Sequence, residues 1–271
     1  MNKSTLTRTS SLTLVGALAL LSLSSVAAAG AGTDNGMLKE TDMVGISFWI
    51  ATAMMLASTV FFILERNNVA PKWKTSMTVA ALVTGIAWYH YTYMREHWIL
   101  EGDSPLVMRY IDWLITVPLQ VSEFYLILAA IGVASAALFW RLFGASIVML
   151  VAGFLSESGI DAVEDIKWPL FIVGCLAWAY IIYELWAGEA KEKVGDASEG
   201  TQFAFKSMAI ILTVGWAIYP LGWIMGQDAG DSGIERLNIL YNIADVVNKT
   251  AFGLMVWYAA TMDTKASGSE E

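Results

Sequence analysis

"NIADVVNKTAFGLMVW" (Asn242–Trp257) is an apolar run, long enough with its flanks to cross a membrane, yet it carries Asp245 and Lys249 near its middle. The surrounding chain shows why those two charges matter. Of 271 residues, 56% are hydrophobic and only 15% charged, and the mean hydropathy is +0.55, which lies outside the usual soluble range. The 12 Trp and 10 Tyr suit a bilayer protein, because amphipathic rings collect at its interfaces and line buried ligand sites. A net charge of -9 argues against a nucleic-acid partner. Cys175 stands alone in an apolar run, so no disulfide framework or thiolate metal site is expected, and it reads as a small buried hydrophobe.

Working outward, "MNKSTLTRTS", "LTLVGALALLSLSSV" and "AAAG" spell a basic, then apolar, then small-residue leader. Residues 1–29 are therefore expected to be a cleaved signal peptide, leaving the new N-terminus outside the cytoplasm. Seven apolar stretches follow, approximately Val44 to Leu64, Met77 to Trp98, Pro105 to Ile131, Ala137 to Leu155, Trp168 to Ala187, Phe203 to Met225 and Leu237 to Met262. Each approaches the roughly 20 residues a helix needs to cross the hydrocarbon core. The expected fold is an all-α membrane protein, a seven-transmembrane-helix bundle over residues 30–262, followed by a disordered acidic tail at 263–271. Arg66, Lys72, Lys74, Arg141, Lys191, Lys193 and Lys206 fall on one side, against Lys39, Arg95, Lys167 and Arg236 on the other. By the positive-inside rule the first group is cytoplasmic, as expected for a multi-pass membrane protein with its N-terminus outside and its C-terminus inside.

Against this background Arg109, Asp112 and Glu123 in the third span, His90 in the second, and Asp245 and Lys249 in the seventh stand out. An ionisable group at mid-bilayer costs about 2.5 to 3.5 kcal/mol, so it signals function by default. Asp245 and Lys249 are four apart and share a helix face, as do Arg109 and Asp112, three apart. Asp112 and Glu123, eleven apart, lie on one stripe separated by roughly 16 Å, with Thr116 between them. With Arg109 one turn away, Asp112 is expected to rest as an anion; Glu123, followed by "FYLILAA", is expected to rest neutral. An empty acceptor on one side and a loaded donor on the other is what a proton relay requires. A buried amine such as Lys249 is suited to forming a Schiff base with an aldehyde.

"RYIDWLITVPLQVSEFYLIL", "GWAIYPLGW" and "YNIADVVNKTAFGLMVW" resemble the microbial (type I) rhodopsins, and specifically the proteorhodopsins. "GISFW", "STVFF", "TGIAWYHYTYM" and "CLAWAYIIYELWAGE" extend the resemblance over the whole mature chain. The resemblance implies all-trans retinal bound covalently to Lys249 as a protonated Schiff base, with Asp112 and Asp245 as counterions. It implies a pocket formed by Trp113, Gln120, Met149, Trp216, Tyr219 and Trp223, and a histidine, His90, that hydrogen-bonds the acceptor. Asp112, Thr116 and Glu123 match the acceptor, spacer and donor of outward proton pumps. Gln120 matches the position at which Leu marks green-absorbing and Gln blue-absorbing members.

The implied activity is therefore light-driven outward proton transport under blue light, which is transport and not enzymatic turnover. A slow photosensor and a retinal-free seven-helix receptor or transporter are the alternatives. Relatives assemble as pentamers or hexamers, and Trp49 resembles a residue that meets His90 of a neighbour. Membrane lipid, protons and further copies of the chain are the implied partners.

Overall fold

A computed structural model describes residues 38–227 and 231–268, and the expected signal peptide lies outside them. The first five spans are unbroken helices: α1 Met43–Glu65, α2 Lys74–Glu101, α3 Leu106–Ala130, α4 Ala136–Glu157 and α5 Lys167–Trp186. A short helix, α6 Glu189–Val194, links α5 to the sixth span. That span comprises α7 Glu199–Ile210, a wide π turn at Ile211–Gly215 and α8 Ile218–Gly226. The seventh comprises α9 Asp231–Val246, a second π turn at Val247–Ala251 and α10 Phe252–Gly268. Consecutive spans pack side by side from α1 to α5, and α9 returns against α1 to close the ring.

Five spans are apolar and long enough to cross a membrane on composition alone. The second is made more polar by residues such as Thr84, His90, Tyr91 and Thr92, and the seventh by Asn238, Asn242, Asp245, Asn248 and Lys249. Most of these are buried. The bundle is accordingly polar inside and apolar outside: Leu82, Val148, Ile172, Leu176 and Val214 are exposed, while Arg109, Asp112, Glu123 and Asp245 are at most 1% exposed. In lipid this arrangement is the stable one, since every buried polar group must find its partner within the protein. Thr59 shows how: its hydroxyl bonds Met55 O in its own helix at 2.8 Å and Thr84 of α2 at 2.9 Å.

The helix ends follow from local chemistry. Asp42 caps α1 by accepting Gly45 N–H at 2.7 Å, and it also receives the Trp98 indole at 3.2 Å. Gly102 ends α2 in the left-handed region, φ 71°, with its N–H returning to Trp98 O. Close approach of α10 to α1 depends on Gly253, where a Cβ would lie 2.5 Å from Cζ of the fully buried Phe62. Gly253→Ala is expected to destabilise the bundle by about 1–3 kcal/mol through overpacking. A lowered midpoint of thermal denaturation in detergent would register it.

Two expectations are revised. The tail predicted to be disordered from 263 is helical as far as Gly268, because Asp263 accepts the Trp73 indole at 2.8 Å and pairs with Lys72 at 2.7 Å; residues 269–271 lie outside the described ones. Cys175 is half-buried, not buried, because it lines a cavity.

Candidate functional site

Lys249 lies in the π turn of the seventh span. Turns of this width break the regular hydrogen-bond ladder and recur at functional sites. Here the Asn248 carbonyl accepts the Gln120 amide at 2.8 Å, tying α3 to the backbone next to Lys249. Asn248 extends its own amide to Gly215 O, 3.2 Å away in the π turn of the sixth span. Gly215 permits that approach: a Cβ there would lie within 2 Å of Asn248 Oδ1. The two irregular turns thus brace each other around the lysine.

Lys249 Nζ sits 3.1 Å from Asp112 Oδ2 and 3.1 Å from Asp245 Oδ2. The two carboxylates are dressed differently. Asp245 accepts the hydroxyls of Tyr91, at 2.7 Å, and Tyr219, at 2.5 Å, and the Trp113 indole at 3.3 Å. Asp112 meets Lys249 and, at 3.6 Å, His90 Nδ1; neither of its oxygens accepts a complete hydrogen bond. His90 Nδ1 engages Ile86 O at 2.9 Å in its own helix, so the expected hydrogen bond to the acceptor is only an approach. Thr116 likewise bonds Asp112 through the backbone carbonyl, at 2.9 Å, and not through the carboxylate.

Arg109 departs from the sequence-based expectation. Its guanidinium turns to α9, bonding Asn242 Oδ1 at 2.8 Å and Asn238 Oδ1 at 3.0 Å, and reaches Tyr91 Oη at 3.4 Å. It makes no ion pair with Asp112 among the described residues; Tyr91 links it to Asp245 instead. Its two terminal nitrogens bond the amide oxygens and Tyr91, and the Phe48 ring lies 5.3 Å away, which stabilises this position without a direct carboxylate.

Glu123 is 1% exposed and distant from the lysine along α3. Neither of its oxygens has a hydrogen-bond partner among the described residues. A buried carboxyl without a cation nearby is costly to hold as an anion.

A cavity of about 790 Å³, including its open mouth, begins at Lys249 and Asp245. Trp113, Gln120, Met149, Trp216, Tyr219 and Trp223, all expected from the sequence, line it. Trp113 and Tyr219 meet edge to face at 4.9 Å, and Trp223 stacks on Phe171 at 4.3 Å. A long slot walled by aromatic rings, with one amine at the polar end and two carboxylates beside it, fits an elongated apolar aldehyde held as a cation.

Sequence reasoning missed Tyr91, Asn238, Asn242, Asn248 and Glu157, whose Oε2 accepts the Tyr110 hydroxyl at 2.7 Å. A signal existed for two of them: positions 238, 242, 245 and 249 advance by four, three and four, a polar stripe along one helix face.

Sequence and structure comparisons agree with this geometry. The family description "bacteriorhodopsin-like protein" matches residues 42–262. A green-light absorbing proteorhodopsin from an unknown prokaryotic organism is 52% identical over 251 residues, covering 92% of this chain and 99% of its own. A blue-light absorbing proteorhodopsin from Gamma-proteobacterium Hot 75m4 is also 52% identical, covering 90% and 94%. The crystal structure of a blue light-absorbing proteorhodopsin from Med12 superposes with a TM-score of 0.68 at 53% identity, covering 82% of this chain and all of that one. The chain therefore belongs to the bacteriorhodopsin-like family of microbial rhodopsins, within its proteorhodopsin branch.

Proposed function

We propose that this membrane-embedded retinal protein is a light-driven outward proton pump that absorbs blue light, with Lys249 as the retinal-bearing amine. Retinal held there as a Schiff base supplies visible absorption and a proton whose hold on the lysine nitrogen changes with light. The unequal surroundings of the two carboxylates carry the reading. Asp245 cannot take a proton without giving up charge-assisted bonds from Tyr91, Tyr219 and Trp113. Asp112, at 3.1 Å from the same nitrogen and free of such donors, is the acceptor. Asp245 remains the fixed anion that balances Lys249.

Glu123 is the internal donor on the other side, roughly 16 Å along α3, with no hydrogen-bond partner on either oxygen among the described residues. Arg109 stands on the acceptor side and, through Asn238 and Asn242, keeps a positive charge between Asp245 and the outer end. Thr116 lies on the stripe between acceptor and donor and turns its hydroxyl into its own helix. Trp113, Met149, Trp216, Tyr219 and Trp223 line the cavity and would confine the chromophore. Moving each proton against 100 mV requires about 2.3 kcal/mol.

In this reading the chain crosses the bacterial inner membrane with its N-terminus outside, and several copies assemble in a ring. Within one chain Trp49 is stacked by Arg95 at 4.0 Å, on the α1 and α2 side that also exposes Tyr89 and Tyr93.

Illuminating cells that express the retinal-loaded protein in unbuffered medium should acidify the medium, and a proton uncoupler should erase the signal. Acidification that is absent, or that survives the uncoupler, rejects the pump. Colour has its own test. Overall identity does not separate the colours, at 52% and 54% for green-absorbing relatives and 52% for a blue-absorbing one, so the argument rests on Gln120, whose amide lies in the cavity wall and bonds the backbone beside Lys249. An amide dipole there stabilises the ground-state charge over the excited one, which widens the gap. Gln120→Leu is expected to move the absorption maximum to longer wavelength, and an unchanged spectrum would remove Gln120 from the account.

A further inference from the structure

At the end of the bundle far from Arg109, α5, α6 and α7 border a second cavity of about 820 Å³, including its open mouth. Leu185, Trp186 and Phe203 form an apolar part of its wall, and Lys191, Gln202 and Lys206 a polar part. Its lining contains no carboxylate. Phe203 is 57% and Trp186 37% exposed, so the cleft opens on a surface that is apolar and faces lipid.

Lys191 and Lys206 are both exposed and take part in no ion pair among the described residues. Their neighbours are paired: Lys193 with Glu189 at 3.2 Å, and Arg141 with Glu184 at 2.8 Å and Glu189 at 2.6 Å. In a chain of net charge -9, two lysines outside any ion pair among the described residues border an open apolar cleft. Such basic pockets between helices at a membrane face attract phosphate headgroups. Trp186 and Phe203 supply aromatic surface at the depth where headgroup gives way to acyl chain.

We propose that this cleft binds an anionic phospholipid, its phosphate between Lys191 and Lys206 and its acyl chains against Trp186 and Phe203. The occupant would touch a residue that already ties two spans together. Trp186 donates its indole N–H to Thr213 Oγ1 at 2.9 Å, and Thr213 belongs to the π turn of the sixth span. A bound lipid therefore stiffens the junction of α5 with that turn.

Native mass spectrometry of the full chain in detergent, titrated with phosphatidylglycerol, phosphatidylcholine or inorganic phosphate, tests the site. One phosphatidylglycerol per chain should be retained with about 30-fold preference over phosphatidylcholine, the equivalent of ~1 kcal/mol for each lysine. The preference should fall to near parity in Lys191→Gln/Lys206→Gln. It should persist in Lys72→Gln/Lys265→Gln, which removes two charges elsewhere at the same end. A wild type without preference, or equal loss in both double variants, overturns the site; displacement of the lipid by inorganic phosphate at comparable concentration overturns the lipid as its occupant. The readout is lipid occupancy and is the same on colourless protein, so failure here is distinct from failure of the pump.

Discussion

Lys249→Ala is expected to abolish all visible absorbance of the retinal-treated protein and, with it, every light-driven pH change. Among the described residues Lys249 is the one amine in the wall of the aromatic cavity, so no second amine there stands ready to hold the aldehyde. The substitution also strands two carboxylates, at 0% and 1% exposure, without their shared cation. Breaking a buried pair in this way costs roughly 3–5 kcal/mol, so the variant should also denature at lower temperature. Absorbance measured on protein that retains its helical circular dichroism separates loss of the attachment point from loss of the fold. Pigment that survives the substitution would overturn Lys249 as the attachment site.

Asp112→Asn carries the next largest effect. A carboxylate 3.1 Å from the lysine nitrogen stabilises positive charge localised there, and with retinal attached it would stabilise the ground state over an excited state whose charge is more widely spread. Removing it should move the absorption maximum to longer wavelength. It should also cut light-driven acidification by at least about 100-fold, the lower range for loss of a positioned proton-transfer group. Acidifying the wild-type protein should reproduce the colour change, and Asp112→Asn should be insensitive to the same titration.

Asp245→Asn should behave otherwise. Three side-chain donors lose the charge they converge on, so the damage should fall first on pigment yield and thermal stability. If the two variants are indistinguishable in colour, stability and transport, the unequal roles given to these carboxylates are wrong.

Much of the fold was legible because lipid imposes a simple rule on sequence. Uninterrupted apolar runs must be helices, and each of the seven expected runs corresponds to a span whose ends lie within a few residues of the predicted ones, except for the last, which begins at Asp231 and runs on to Gly268. The short helix Glu189–Val194 was not foreseen, since six residues of mixed charge carry too little periodicity to distinguish them from a loop. The wide turns at 211–215 and 247–251 escaped for a different reason: hydrophobic periodicity records which residues are apolar, not how many complete a turn.

The residues of the candidate site were identified more completely than their contacts. Spacing correctly put Asp245 beside Lys249, because four residues along a helix fix their proximity. Spacing misled for Arg109, whose long side chain leaves its own helix face for two amides on another span. For His90, where the resemblance implied a hydrogen bond to Asp112, the ring bonds Ile86 O and approaches Asp112 at 3.6 Å. Partners contributed by distant helices depend on rotamers and on helix rotation, and neither is written in a local pattern.

The wide turn at Val247–Ala251 also sets the rotational phase of everything after it. It holds one residue more than an ordinary turn, so the two halves of the seventh span are offset by about 100° relative to a continuous helix. Phe252, Val256, Ala259 and Ala260 are buried in that shifted frame. Excising a single residue from 247–251 would let the coil regain even pitch, but it would swing this second half roughly a quarter-revolution from the interior toward hydrocarbon. Chimeras spliced within the segment inherit the same constraint, and the five residues have to be exchanged as a block.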